Sequence, residues 1–237
     1  MNYELIQPNE ELRACARRQL DGVWGKMAFT YFVYFLIYLP YNIISALNSI
    51  SEWIPGIPSY FGGLNALLTI AVMVISGPFA LGFAGYFLKR IRGEEIEIKN
   101  IFDGFENFFS SFLVMFFIGL FTALWSLLLL IPGIIKAYGY SMAYYIMHDD
   151  PGIKPLEAIK QSQIMMKGYK WKLFALQFSF IGWTLLCLLT LGVGFLWLNP
   201  YFNLSMANFY ENLKINRKNA SENMLLKDKE TQMGQIF

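Results

Sequence analysis

The chain has 237 residues, of which 56% are hydrophobic and only 15% charged. A water-soluble domain needs a more polar surface than that, so an all-α bundle in a membrane is expected. The net charge of +2, with no basic cluster interleaved with aromatics, argues against nucleic acid as a partner.

From the N-terminus, residues 1–11 carry acidic side chains and no positive n-region, so the first apolar run is expected to stay in place as a helix. Runs of low charge follow at 27–47, 64–88, 108–130, 134–147, 173–189 and 195–213. A crossing helix needs roughly 20 apolar residues, so about six spans are predicted, the fourth short and carrying Lys136. Trp24, Trp53, Trp125, Trp171 and Trp197 fall near the ends of these runs, where amphipathic rings prefer the headgroup layer.

Lys and Arg collect before the first run, after the second, between the fourth and fifth, and after the sixth. The positive-inside rule then places both termini in the cytoplasm. The outer connections are a Pro/Gly-rich loop at 49–63 and two tight turns, near Pro132-Gly133 and at Leu191-Gly192-Val193-Gly194. The inner connections are amphipathic: Ile98, Ile101, Phe102, Phe105, Phe108 and Phe109 recur at helical spacing. Similar stripes run from Glu11 to Leu20 and after Pro155, and such helices are expected in the headgroup plane.

This order suggests three repeats of an interfacial helix plus a helical hairpin, at 10–92, 97–148 and 154–214, in one membrane domain spanning 1–214. Pro78, Pro132 and Pro200 recur in the returning spans and are expected to kink them. The alternative is coincidence, since Pro and Gly are common in membrane helices. Residues 215–237 are polar, without sustained periodicity, and are expected to be a disordered cytoplasmic tail.

Catalytic patterns are scarce. There is one histidine, His148, and no His-Glu-x-x-His or Gly-x-Ser-x-Gly pattern, so no catalytic residue, metal or cofactor is assigned and no enzyme is expected. Cys15 and Cys187 make no disulfide framework. His148, ahead of Asp149-Asp150-Pro151-Gly152, suits a helix C-terminus, with metal or proton handling as the alternative. Lys136 is the sharpest candidate, because a cation inside a span is costly. At a helical rise of about 1.5 Å per residue it would lie roughly 18 Å from the inner boundary, in the outer half of a core about 30 Å thick, either snorkelling outward or meeting an anionic ligand. Tyr140 and Tyr144 on the same run and Asn203 on the sixth complete a ligand-binding set, with hydrogen bonding between helices as its structural alternative.

The stretch from Trp125 through Ile131-Pro132-Gly133-Ile134-Ile135-Lys136-Ala137-Tyr138 resembles the signature of a bacterial membrane family catalogued as domain of unknown function 975. Tyr140-Ser141-Met142-Ala143, Leu156-Glu157-Ala158-Ile159, Met165-Met166-Lys167-Gly168 and Phe102-Asp103-Gly104-Phe105 extend the likeness over nearly the whole chain apart from its tail. The resemblance implies a multi-pass protein of the bacterial cytoplasmic membrane and brings no activity. The function expected is non-enzymatic binding of a lipid or membrane partner, with another membrane protein or a second copy of the chain among the partners considered. A small transporter or channel for an anionic or lipid-like substrate is the alternative, weakened by the few polar residues in the first and fifth runs.

Overall fold

The computed structural model describes residues 6–54 and 62–234, and among the described residues there is no strand. Helix α1 (Asn9–Leu20) leads into α2 (Trp24–Trp53) and α3 (Gly62–Ile91). A 3-10 helix (Ile98–Asn107) leads into α4 (Phe108–Leu128), α5 (Leu130–Tyr140) and α6 (Ala143–Asp149). Helix α7 (Pro155–Met165) leads into α8 (Lys170–Phe178), α9 (Ile181–Leu189) and α10 (Phe195–Gly234).

All three amphipathic segments read from the sequence are helical. In α1, Glu10 and Glu11 occupy the first turn and Arg17 and Arg18 the last, which complements the helix dipole. The 3-10 helix begins with a reciprocal capping box between Glu97 and Asn100. These segments turn their apolar faces onto the bundle: Leu12, Ile101 and Ala158 are wholly buried. Helix α1 packs on α10, the 3-10 helix on α3, and α7 on α4, α5 and α6. The buried core therefore gathers at one end of the bundle, the end that holds the short helices.

Four stretches, Trp24–Ser51, Gly62–Ile91, Ile98–Leu128 and Lys170–Leu189, are long and apolar enough to cross a membrane. In their most apolar windows only 11% to 28% of residues are buried. At the far end Leu127 is 86% exposed and Leu191 96% exposed. Apolar surface on this scale suits lipid rather than water.

The other two predicted spans differ from expectation for distinct reasons. The run at 134–147 is divided by a turn at Ser141-Met142, leaving α5 and α6 each too short to cross alone. Helix α10 is long, but Asn199, Asn203 and Asn208 lower its hydropathy, and its stretch from Leu204 to Tyr210 is buried in protein. It packs against α1, α2, α3 and α9. The tail predicted to be disordered is instead the continuation of α10 to Gly234, rich in helix formers and carrying a Lys218–Glu222 pair at 3.9 Å. The outer loop predicted at 49–63 is helical as far as Trp53, and its residues 55–61 lie outside the described residues.

The three prolines do not occupy equivalent places. Pro78 and Pro200 lie inside α3 and α10. Pro132 is in the first turn of α5, where its missing N–H has no helical partner to lose. The break there falls at extended Leu129, with φ −159° and ψ 135°. A further proline, Pro40, lies inside α2.

Helix α3 reaches its neighbours through glycines. A Cβ at Gly82 would collide with the Ile101 carbonyl of the 3-10 helix, and one at Gly104 with the Pro78 carbonyl of α3. Gly77 lies against Ser111 of α4, where a Cβ would come within 2.6 Å of its carbonyl oxygen. Backbone cannot yield as a flexible side chain does, so Gly82→Ala should cost more than about 2 kcal/mol, read as a lowered thermal midpoint in detergent. Gly119→Ala on α4, where nothing lies within 4 Å, should leave the midpoint unchanged or slightly raised.

Candidate functional site

Tyr31, Tyr34 and Tyr38 follow one another along one face of α2. Tyr31 and Tyr34 turn toward α3, where Tyr31 stacks on Phe83 at 5.0 Å and Tyr34 meets the same ring edge-on at 5.1 Å. Opposite them, the Ser141-Met142 turn lets α6 present Tyr144 and Tyr145, and α10 presents Asn203. Tyr31, Tyr34, Tyr144, Tyr145 and Asn203 line a cavity of about 320 Å³, while Tyr38 faces the neighbouring cleft. The Asn203 amide donates to the Tyr31 hydroxyl at 2.8 Å and to its own helix at the Asn199 carbonyl at 3.0 Å. The hydroxyls of Tyr144 and Tyr145 make no hydrogen bond among the described residues. Beside this cavity runs a cleft of about 630 Å³ between α2 and the start of α10, sharing Tyr31 and Tyr34 and otherwise mainly apolar, with Phe32, Phe35 and Leu196 on its walls.

A charged knot lies beside the cavity, at the end of α6. Tyr145 stacks on Tyr210 at 5.2 Å, and the Tyr210 hydroxyl donates to Asp149 at 2.8 Å. Arg92 grips the same carboxylate with both guanidinium nitrogens, at 2.8 and 3.1 Å, and also reaches Glu211 at 2.9 Å. Lys214 adds a third donor at 2.5 Å. The knot thus joins the ends of α3 and α6 to the middle of α10. Burial alone would raise the Asp149 carboxyl, but the donors from Arg92, Lys214 and Tyr210 outweigh it and hold it at about 2. His148 stands in the last turn of α6, as its sequence context suggested, and Gly85 makes room for its ring: a Cβ there would come within 2.5 Å of the imidazole. Burial lowers its pKa, which favours the neutral ring.

The ligand-binding set read from the sequence divides in two. Tyr144 and Asn203 line the cavity. Lys136 does not: its ammonium lies 4.7 Å from the centre of the Trp125 ring, a cation–π contact. The break in the helix also removes the basis for a depth in the far half. Gly139, one turn on, lies against Lys170 at the start of the span Lys170–Leu189, with 3.5 Å from a Cβ there to the Lys170 ammonium. Tyr140 is buried beside Phe121 instead of facing the cavity. The α2 tyrosines and the Arg92–Asp149–Tyr210–Lys214 knot were missed from sequence. The tyrosines carried a readable signal, three hydroxyls at helical spacing in an apolar run; the knot joins residues 57 to 65 and more positions apart and carried none.

These elements define a helical protein with, among its described residues, four stretches fit to cross a membrane and a tyrosine-lined cavity between α2, α3, α6 and α10. The chain belongs to the DUF975 family, described as a protein of unknown function, whose sequence model matches residues 1–135 and 127–217. No curated protein and no solved structure matched the chain.

The Asp149 side chain is only 14% exposed, so Asp149→Asn should lower stability by about 2 kcal/mol near neutral pH, between the values for surface and buried pairs. Its folded pKa lies below its unfolded value of about 4, so the carboxylate stabilises above that pH and loses its contribution as pH falls toward 2. Thermal midpoints of wild type and variant, taken across that window in detergent, should converge at the acid end.

Proposed function

We propose that this is a six-span membrane protein that binds one lipid or lipid-like amphiphile in the cleft between α2 and α10, without chemistry on it. The observation that carries the reading is the pairing of a small cavity rich in hydroxyl and amide groups with a larger apolar cleft that shares Tyr31 and Tyr34. A polar group fits among Tyr31, Tyr144, Tyr145 and Asn203, and an apolar chain fits along Phe32, Phe35 and Leu196. The two volumes fall in the range of small-molecule sites. Both termini face the cytoplasm of a bacterium in this reading, and Lys136 anchors its helix on Trp125 without touching the ligand.

In this reading α5 with α6, and α10, supply the fifth and sixth crossings, shielded by the other helices. Three interfacial-helix-plus-hairpin repeats accord with the turns that precede α2 and α8. Gly22 and Gly168 adopt φ of 78° and 88°, a left-handed conformation costly for other residues, and each is followed by a residue near φ −126° or −108° and ψ close to zero.

Transport is the second reading, and the interrupted helices favour it. The breaks at Ser141-Met142 and Ser179-Phe180 leave half-helices of the kind that transporters use to expose backbone at a binding site.

Native mass spectrometry after mild detergent extraction tests the cleft. Wild type should retain one amphiphile, a Tyr31→Phe/Asn203→Leu variant should lose it at least about tenfold by removing the paired polar contacts, and Lys136→Ala should keep it. Retention by the double variant, or loss in Lys136→Ala alone, would sink the reading. Topology has its own check. In a chain cleared of Cys15 and Cys187, a cysteine at Val193 should react with an impermeant maleimide on intact cells, and one at Lys154 only after permeabilisation.

A further inference from the structure

On the other side of α10 from the cleft lies a groove of about 430 Å³, walled by Trp24, Trp183 and Trp197 and floored by Leu198 and Tyr201. Its lining is almost wholly apolar apart from one end, where Arg17 of α1 holds its guanidinium 5.9 Å from the centre of the Tyr201 ring. Arg13, one turn earlier on α1, lies near enough for its charge also to bear on Tyr201. Among the described residues neither arginine meets a carboxylate within ion-pair distance. The Nε of Arg13 is buried and has no hydrogen-bond partner, which is a costly state for a guanidinium donor. Elsewhere at this end Lys89 holds Asp103 and Arg92 holds Asp149 and Glu211, while Arg90 and Lys172 donate to the Gln19 and Ile6 carbonyls. One guanidinium thus stands at the head of an apolar groove with a second a turn away on α1, and neither has a carboxylate partner among the described residues.

We propose that this groove is a binding site for a single anionic phospholipid from the leaflet on the side of the basic loops. The guanidiniums of Arg13 and Arg17 take the phosphate, for which their planar donor sets are suited. One acyl chain runs from that end of the groove along Trp24, Trp183 and Trp197 toward Gly194. A zwitterionic lipid offers the same chain but cancels its phosphate with an amine, so the selectivity is for net negative charge. The site shares no residue with the α2–α10 cleft and stands independently of the reading given to that cleft. A lipid held there ties α1 to α9 and α10 and buries the exposed faces of Trp183 and Trp197, which are 53% and 48% open in the bare protein.

Native mass spectrometry from nanodiscs of equal parts phosphatidylglycerol and phosphatidylcholine, with identical chains, tests the assignment. Wild type should carry one phosphatidylglycerol with a preference of about tenfold, the order that two surface cations confer. Arg13→Gln/Arg17→Gln should lose that preference, and Arg17→Lys should keep part of it. Trp183→Ala, at an exposed position that leaves the fold intact, should weaken retention of both lipids. The Tyr31→Phe/Asn203→Leu variant should behave as wild type, which separates this site from the cleft. Equal retention of the two lipids by wild type, or an unchanged preference in the double arginine variant, would overturn the proposal. Unchanged retention in Trp183→Ala would overturn the groove as the seat of the chain.

Discussion

The Gln19–Asn208 pair is the contact on which the arrangement of the other helices turns. The two amides exchange hydrogen bonds in both directions, at 3.1 and 2.7 Å, between α1 and the middle of α10. Helix α10 carries too many amides to face hydrocarbon, where each unpartnered group costs several kcal/mol. It must be wrapped by protein, and its asparagines determine by what. Asn203 binds α2 through Tyr31, Asn208 binds α1 through Gln19, and Asn212 reaches Gln7 just before α1 at 3.3 Å. Each also donates to the carbonyl four residues earlier in its own helix. Satisfying one polar helix thereby draws α1 and α2 onto α10.

The same constraint explains which features were legible in the sequence. Apolar run length identified the spans that meet lipid, because lipid-facing helices are apolar all round and leave a continuous signal. The fourth and sixth runs do not fold as single long apolar helices of that kind. Position 141 interrupts one helix through a turn that no Pro or Gly announces at that residue, since Ser162 of α7 caps the Gly139 carbonyl and receives the Met142 N–H there. The sixth run reads as a span by its Phe, Leu and Met content, while its asparagines mark it as enclosed. Amphipathic periodicity identified all three short helices but not their partners, because a moment gives a face and not what covers it.

The functional residues divide along the same line. Lys136 stood out in the sequence because a charge in an apolar run is conspicuous, yet it closes locally on Trp125, eleven positions back. The cavity is built from tyrosines, which are unremarkable singly in an aromatic-rich chain and become a site only when α2, α6 and α10 converge. The charged knot beneath it uses Arg92, Asp149 and Lys214, residues that each looked like ordinary boundary charges. Their importance lies in convergence over long separations, which one sequence does not record.

The concentration of close contacts at one end of the bundle has a mechanical consequence. Gly82, Gly104, the charged knot and the short helices fasten one end of the helices together, whereas Leu127 and Leu191 at the far tips are 86% and 96% exposed. A bundle clamped at one end and free at the other behaves like a set of tines on a common base. The tips can spread or tilt to match bilayers of different thickness at a cost of fractions of a kcal/mol per ångström, while the fastened end keeps its shape.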